Sequence, residues 1–194
     1  MSHNPLVVDL CGTIVKQNTT HGFLRSEWFP GWRKRLAALI LSRAGGVFLS
    51  RLLAGQQRAL LILLLRGLDQ EELRQWAEKY AVKILREHPR EDVLDAIRER
   101  KRAAQPIYVA SASLDFIVEA FAKVLGADGY VATELVYRRG RCAGFVERDS
   151  TGVKLALLVA DLGVEPKGFD VITDNPEDTD LMNSAVETWF IEDE

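Results

Sequence analysis

Pro5-Leu6-Val7-Val8-Asp9-Leu10-Cys11-Gly12-Thr13-Ile14 is a short apolar run, rich in β-branched residues, with a carboxylate where the run ends. Such a run has the character of a buried strand in a parallel sheet, where both faces are covered. Gly12-Thr13 then turns the chain sharply, because glycine accepts dihedrals that strain other residues. A carboxylate at the carboxyl end of a buried parallel strand stands where open α/β sheets bind ligands. Taken alone, an aspartate also ends strands for ordinary turn reasons.

Working outward, three later segments repeat the pattern. Ser111 follows the apolar run Ile107-Tyr108-Val109-Ala110, and Lys154 lies near a helix start. Asp174 and Asp178 follow Phe169-Asp170-Val171-Ile172-Thr173. A cation in the first turn of a helix opposes the helix dipole, at a cost of ~0.3–1 kcal/mol, and an anion bound there reverses the sign. Lys154 therefore reads either as a residue that holds an anion or as a screened, solvent-facing lysine. On the first reading Lys154→Ala weakens anion binding without lowering stability. Asp174 alone reads as a strand stop, and Glu177 and Asp178 as acids of a first helical turn.

Between these segments strands alternate with helices, which predicts a mainly parallel, doubly wound α/β sheet. Residues 15–22 read as a polar loop, and 23–88 as three or four helices punctuated by Gly31, Gly45-Gly46, Gly55 and Gly67. Asp69-Gln70-Glu71-Glu72 is a capping box, with Leu68 and Leu73 as its hydrophobic staple. Glu91-Asp92 open a helix that closes on Arg98, Arg100, Lys101 and Arg102, in accord with the dipole. After the strand ending at Ser111, Ser113 is expected to cap a helix from Asp115 to Leu125 that buries Phe116, Ile117, Ala120, Phe121 and Val124 and stops at Gly126. A short strand at Tyr130–Ala132 and a hairpin from Leu135 to Val146 around Gly140 follow. Ser150-Thr151 are expected to cap a helix to Leu162, and Asn175-Pro176 to start another. Residues 1–16 and 89–194 are thus expected to form the core, with 17–88 inserted as a helical cap.

At 194 residues, 47% hydrophobic and 27% charged, the chain has the composition of an ordinary globular protein. A net charge of −3 gives no reason to expect a nucleic-acid partner. Charge is uneven: eight Arg/Lys and only Glu27 as an acid lie between Phe23 and Gly67, against nine acids and no base from Asp170 to Glu194. Two solvated faces of opposite sign explain this; a basic lid over an anionic ligand is the sharper reading. Cys11 and Cys142 make no disulfide framework, which suits a reducing compartment. Met1-Ser2-His3-Asn4 lacks the features of a signal peptide, and Ala59–Leu65 falls far short of the ~20 residues of a membrane span. A cytoplasmic location is expected.

Asp-x-x-Gly-Thr at a strand end, then Ser, then Lys, then Asp-x-x-x-Asp, in that order, resembles the haloacid dehalogenase-like (HAD) phosphatases, in particular their phosphoserine-phosphatase-like branch. The resemblance covers nearly the whole chain. It implies a Mg²⁺-dependent phosphomonoester hydrolase acting on a small molecule through a phospho-aspartyl intermediate on Asp9. It places Mg²⁺ on Asp9, the Cys11 backbone carbonyl and Asp174, with Asp178 in support. Ser111 and Lys154 bind the phosphoryl oxygens. Thr20 and His21 fall in the flap loop and Arg66 in a cap segment that meets substrate. His21 reads first as a surface histidine and Arg66 as a solvated helix end.

One position departs from the family. Its phosphatases carry a second Asp, the general acid and base, two residues after the nucleophile; this chain has Cys11. An ordinary thiol, with a pKa near ~8.5, is a weak hydrogen-bond donor and mostly protonated at neutral pH. Slow turnover or restriction to good leaving groups is expected. Two alternatives stay open: a catalytically impaired protein that keeps the phosphate site for binding, and a membrane-surface lipid-phosphate phosphatase using Trp28, Phe29 and Trp32 beside Arg33-Lys34-Arg35. The same aromatics read equally as cap core. Neither substrate identity nor oligomeric state is legible.

Overall fold

The computed structural model describes residues 4–42 and 56–192. Gly45-Gly46, Gly55 and the helical reading of 43–55 lie outside the described residues. Six strands form one sheet: β1 (Leu6–Val8), β2 (Ile107–Leu114), β3 (Gly129–Arg138), β4 (Arg141–Arg148), β5 (Asp170–Thr173) and β6 (Thr188–Phe190). Their order is β4-β3-β2-β1-β5-β6. All neighbours are parallel except the β3–β4 pair, so the mainly parallel α/β architecture holds.

The first strand explains the sheet. Successive strand side chains point to opposite faces. Leu6 and Val8 join one apolar cluster with Val109, Phe116 and Phe121, while Val7 joins another with Ala110, Leu158, Phe169 and Val171. Both faces are covered, hence the unbroken apolar run. Register then sets the edge: Val8 stands opposite Val109 and Ile172, and the Asp9 amide donates to the Ile172 carbonyl at 2.9 Å. The chains leaving β1, the middle of β2 and the end of β5 therefore emerge side by side.

Helices α1 (Thr19–Arg25), α2 (Gly31–Ile40), α3 (Gln57–Leu63), α4 (Gln70–Glu87), α5 (Glu91–Arg102), α6 (Asp115–Leu125), α7 (Lys154–Leu162) and α8 (Thr179–Ser184) complete the described elements. Asp69 caps α4 as its sequence pattern requires, accepting from the amides of Glu71 and Glu72 at 3.0 and 3.3 Å. Phe23 of α1 meets Tyr80 of α4 and Phe116 of α6 edge-on, with centroids 5.7 and 5.1 Å apart. The helical segment and the sheet-flanking α6 thus share one apolar cluster. Phe29 is buried and Trp28 packs on this cluster, which leaves Trp32 as the exposed aromatic of that stretch. Among the described residues no helix is long and apolar enough to cross a membrane.

Several local expectations change. The loop read over 15–22 ends in α1, because Asn18 is an N-cap: its Oδ1 accepts from the His21 amide at 2.9 Å. Asn is favoured at turns and caps alike, so the sequence signal is ambiguous. Strand β2 continues past Ser111 to Leu114, and Leu114, not Ser113, occupies the N-cap of α6. Val124, on the far side of α6, is exposed. The short strand at 130–132 and the first arm of the hairpin are one strand, β3. Arg139 and Gly140 both have positive φ (52° and 74°), the signature of a two-residue type I′ turn. Neither Ser150 nor Thr151 caps α7, whose N-cap is Val153. Asn175-Pro176 form a turn ahead of α8, which begins at Thr179.

Candidate active site

Four segments converge on the carboxyl edge of the sheet. Asp9 leaves β1, Ser111 sits within β2, Asp174 follows β5, and Lys154 is the first residue of α7. Together with Cys11, Asn18, Thr20, His21, Gln57, Arg58, Leu61, Ile62 and Ser113 they line a cavity of about 570 Å³. Asp178, at the N-cap of α8, stands directly behind it.

Lys154 is the centre of this arrangement. Its Nζ donates to Asp9 Oδ1 at 2.9 Å and to Asp178 Oδ2 at 2.7 Å. All three side chains are buried, with side-chain exposures of 3%, 6% and 3% for Lys154, Asp9 and Asp178. The solvent-facing reading is thereby overturned. Two carboxylates of the chain itself supply its counter-charge, which speaks against the expectation that Lys154 is dispensable for stability. Burial alone would lower the lysine pKa, but Asp9 and Asp178 outweigh it and hold the ammonium charged. Burial pushes the Asp9 carboxyl up to about 6, against the opposing pull of Lys154. Asp178 also accepts from Thr173 Oγ1 at 2.9 Å and Asn175 Nδ2 at 3.2 Å. The acid read from sequence as a dipole partner therefore fixes Lys154.

Asp174 accepts from the Thr13 hydroxyl at 2.6 Å, and its own amide donates back to that hydroxyl at 2.9 Å. Gly12, with φ of 82°, lets the carboxylate sit against the turn; a Cβ there would lie 1.9 Å from Asp174 Oδ2. Asp9 and Asp174 thus bring two hard carboxylates to one cavity. No cluster of three His, Cys, Asp or Glu side chains able to hold a metal occurs among the described residues. The set fits Mg²⁺, which takes one or two carboxylates and fills its remaining positions with waters, carbonyls and phosphate oxygens. The Cys11 thiol is no part of such a set, because it is engaged elsewhere.

That engagement went unforeseen. Cys11 Sγ lies 3.1 Å from both Thr19 Oγ1 and Ser113 Oγ, and the Thr19 amide donates to it at 3.3 Å. The two hydroxyls are 2.7 Å apart. Ser113, expected to cap a helix, closes this triangle instead. Burial raises the thiol pKa, and the Asp9 charge raises it further. Ser111 is 1% exposed, and its Oγ accepts from the Ser113 amide at 3.2 Å.

Thr20 and His21 line the cavity as the resemblance implied. Partial burial, helped by Arg25, lowers the His21 pKa. Arg66 is not brought to the cavity: it is exposed, and its stem packs over Gly144 of β4. Sequence reading also missed Arg58, a lining residue of α3 that no motif marks.

The fold has known counterparts. The inhibition of morphological differentiation protein of Streptomyces azureus is 26% identical over 187 residues, 91% of this chain and 67% of that one. A Bordetella pertussis Tohama I protein of unknown function superposes with a TM-score of 0.74 at 20% identity, over 95% of this chain and 88% of that one. A phospho-aspartyl intermediate analogue of phosphoserine phosphatase superposes with a TM-score of 0.60 at 19% identity, over 95% and 84%. At these identities the two structural likenesses speak for the fold. The sequence profile of the haloacid dehalogenase-like hydrolases matches residues 6–183, and the chain belongs to that family.

Proposed function

We propose that this hydrolase removes phosphate from small phosphomonoesters, with Asp9 as nucleophile. The observation that carries the reading is the buried Asp9–Lys154–Asp178 arrangement opening on a cavity that also holds Ser111 and Asp174. An Asp9 carboxylate oxygen attacks phosphorus, the ester P–O bond breaks, and the leaving oxygen takes a proton. Water then hydrolyses the acyl phosphate and regenerates Asp9. Lys154 and Ser111 face the phosphoryl oxygens and stabilise the charge gathered there. Mg²⁺ held by Asp9, Asp174 and the Cys11 carbonyl would supply further neutralisation of that charge. The segment 17–88 acts as the cap that selects the leaving group, with Thr20 and His21 lining the cavity.

The proton for the leaving group is the weak point. A thiol whose pKa is raised by burial and by Asp9 is a poor acid and supplies no base near neutrality. Turnover is therefore slow for alkyl esters and better for leaving groups that need no proton. The same observation favours a second reading, a protein that binds phosphate compounds without efficient turnover.

A phosphate-release screen over many phosphomonoesters, with and without Mg²⁺, decides between them when Asp9→Asn is run alongside. Steady Mg²⁺-dependent release that Asp9→Asn abolishes supports the phosphatase. Release retained by Asp9→Asn removes the mechanism, and a phospho-enzyme burst without turnover selects the binding protein.

A further inference from the structure

Arg58 lies on α3, in the segment proposed as cap, yet its guanidinium reaches strands β2 and β3 and the loop between β4 and α7. Nη1 donates to Asp149 Oδ2 at 2.6 Å and to Thr151 Oγ1 at 3.2 Å. Nη2 donates to the Ala112 carbonyl at 3.1 Å and to Thr133 Oγ1 at 2.8 Å. Ala112 joins Ser111 to Ser113, and Asp149 to Thr151 lead into Lys154. Beneath the arginine Ser150 Oγ donates to the Ser111 carbonyl at 2.8 Å and so pins the β4–α7 loop to β2, while the Thr151 amide donates to Asp149 Oδ1 at 3.0 Å within that loop.

Two physical points separate this contact from a surface ion pair. The side chains of Arg58 and Asp149 are 41% and 46% exposed, and pairs that exposed contribute little to stability. Geometry is a different matter, because a displacement of about 1 Å in groups that orient a substrate costs on the order of 10²-fold in rate. The four terminal N–H bonds already have acceptors from the chain, so the guanidinium clamps loops rather than waiting for a substrate anion. It joins the stretch of β2 that carries Ser111 to the loop that leads into Lys154.

We infer that Arg58 is a positioning residue, which holds the Ser111–Ser113 segment and the loop before Lys154 in register from the helix above. Seating α3 over the cavity and aligning the phosphate-binding groups then become one event. This rests on the proposed phosphoryl-transfer reading for what those groups bind, although the phosphate affinity itself can be tested without turnover.

The test uses the full chain with Arg58→Ala, Arg58→Lys, Asp149→Asn and the Arg58→Ala/Asp149→Asn double variant. Four quantities are read: Tm, the Kd for inorganic phosphate with Mg²⁺ by calorimetry, and kcat and KM for the best ester found. Arg58→Ala is expected to weaken phosphate binding and lower kcat by on the order of 10- to 100-fold, with Tm nearly unchanged. Asp149→Asn should move both in the same direction by less, and the double variant should be no worse than Arg58→Ala, because the residues act as a unit. Arg58→Lys should recover only part, since one ammonium cannot span four acceptors. Unchanged phosphate affinity and kcat overturn the inference. So does a fall in Tm matching the fall in activity and fully restored by Arg58→Lys, which marks a structural charge. A rise in KM with kcat intact, confined to esters with a second anionic group, also overturns it and marks a substrate contact. If the natural protein binds phosphate but hydrolyses nothing, the phosphatase reading fails while the affinity comparison still decides the role of Arg58. Failure to bind phosphate at all overturns both.

Discussion

The ammonium of Lys154 donates to Asp9 Oδ1 at 2.9 Å across 145 residues of sequence, with both side chains almost entirely removed from water. A second bond, to Asp178, shares the same proton-rich group. Removing one partner of such a buried pair leaves the other charges uncompensated, at a typical cost of about 3–5 kcal/mol. Lys154→Met is therefore expected to lower Tm clearly in phosphate-free buffer and to abolish phosphate binding. Differential scanning calorimetry with and without phosphate measures both. A Tm equal to that of the natural protein would mean that Asp9 and Asp178 do not need the lysine.

Cys11→Asp should be accommodated at the place the thiol now occupies. The Thr19 amide and the hydroxyls of Thr19 and Ser113, now around Sγ, are ready donors to a carboxylate. General acid–base catalysis is worth on the order of 10²–10⁴ in rate, or ~3–5 kcal/mol of barrier. Much of that should return for alkyl phosphates and less for aryl phosphates, whose leaving groups need little protonation. Cys11→Ala should resemble the natural protein. Steady-state assays on one alkyl and one aryl ester read the result. Fast alkyl-ester hydrolysis that Cys11→Ala destroys would make the thiol a participant, and an inert Cys11→Asp that still binds phosphate would move the defect to the cap.

Gly12→Ala should disable the site through Asp174. The new Cβ would fall 1.9 Å from Asp174 Oδ2, and the backbone φ of 82° strains any other residue. Strain of this kind costs about 1–3 kcal/mol. The carboxylate must leave its place beside Thr13, so Mg²⁺ affinity should fall about as far as in Asp174→Ala. Isothermal titration with Mg²⁺ compares the two. Equal affinity in Gly12→Ala and the natural protein would show that Asp174 is not held where binding needs it.

Asp115 adds a pH dependence of its own. Burial raises its carboxyl from 3.8 to about 6, although the amides of Phe116 and Leu135 and the Tyr137 hydroxyl donate to it. The folded chain then holds this proton to higher pH than the unfolded chain does. Stability falls as pH rises from about 4 through 6 and levels off above, by up to about 3 kcal/mol. Asp115→Asn removes that slope, so its stability relative to the natural protein should rise between pH 4 and pH 7. Urea unfolding at several pH values measures the difference. A difference independent of pH would mean that Asp115 stays ionised throughout.

What was legible in the amino-acid order was whatever local pattern encodes. The unbroken apolar run before Asp9 marked a strand covered on both faces, and the same logic placed Asp174 at a strand end and Ser111 on a strand, although β2 runs on to Leu114. Asp69 announced its helix through cap chemistry that spans only a few residues. Family motif order then joined Asp9, Ser111, Lys154, Asp174 and Asp178 into one site. Tertiary structure decided how buried polar groups satisfy one another. Cys11 meets Ser113 across 102 residues and Arg58 meets Asp149 across 91, and neither pairing leaves a periodic signal. Hydrophobic periodicity tells which face is dry, but not which donor will reach which acceptor there. For that reason Ser113 and Ser150 passed for helix caps and Arg58 for one more charge in a basic stretch, and the two carboxylate partners of Lys154 went unread. Their partners exist only once the sheet edge has been assembled.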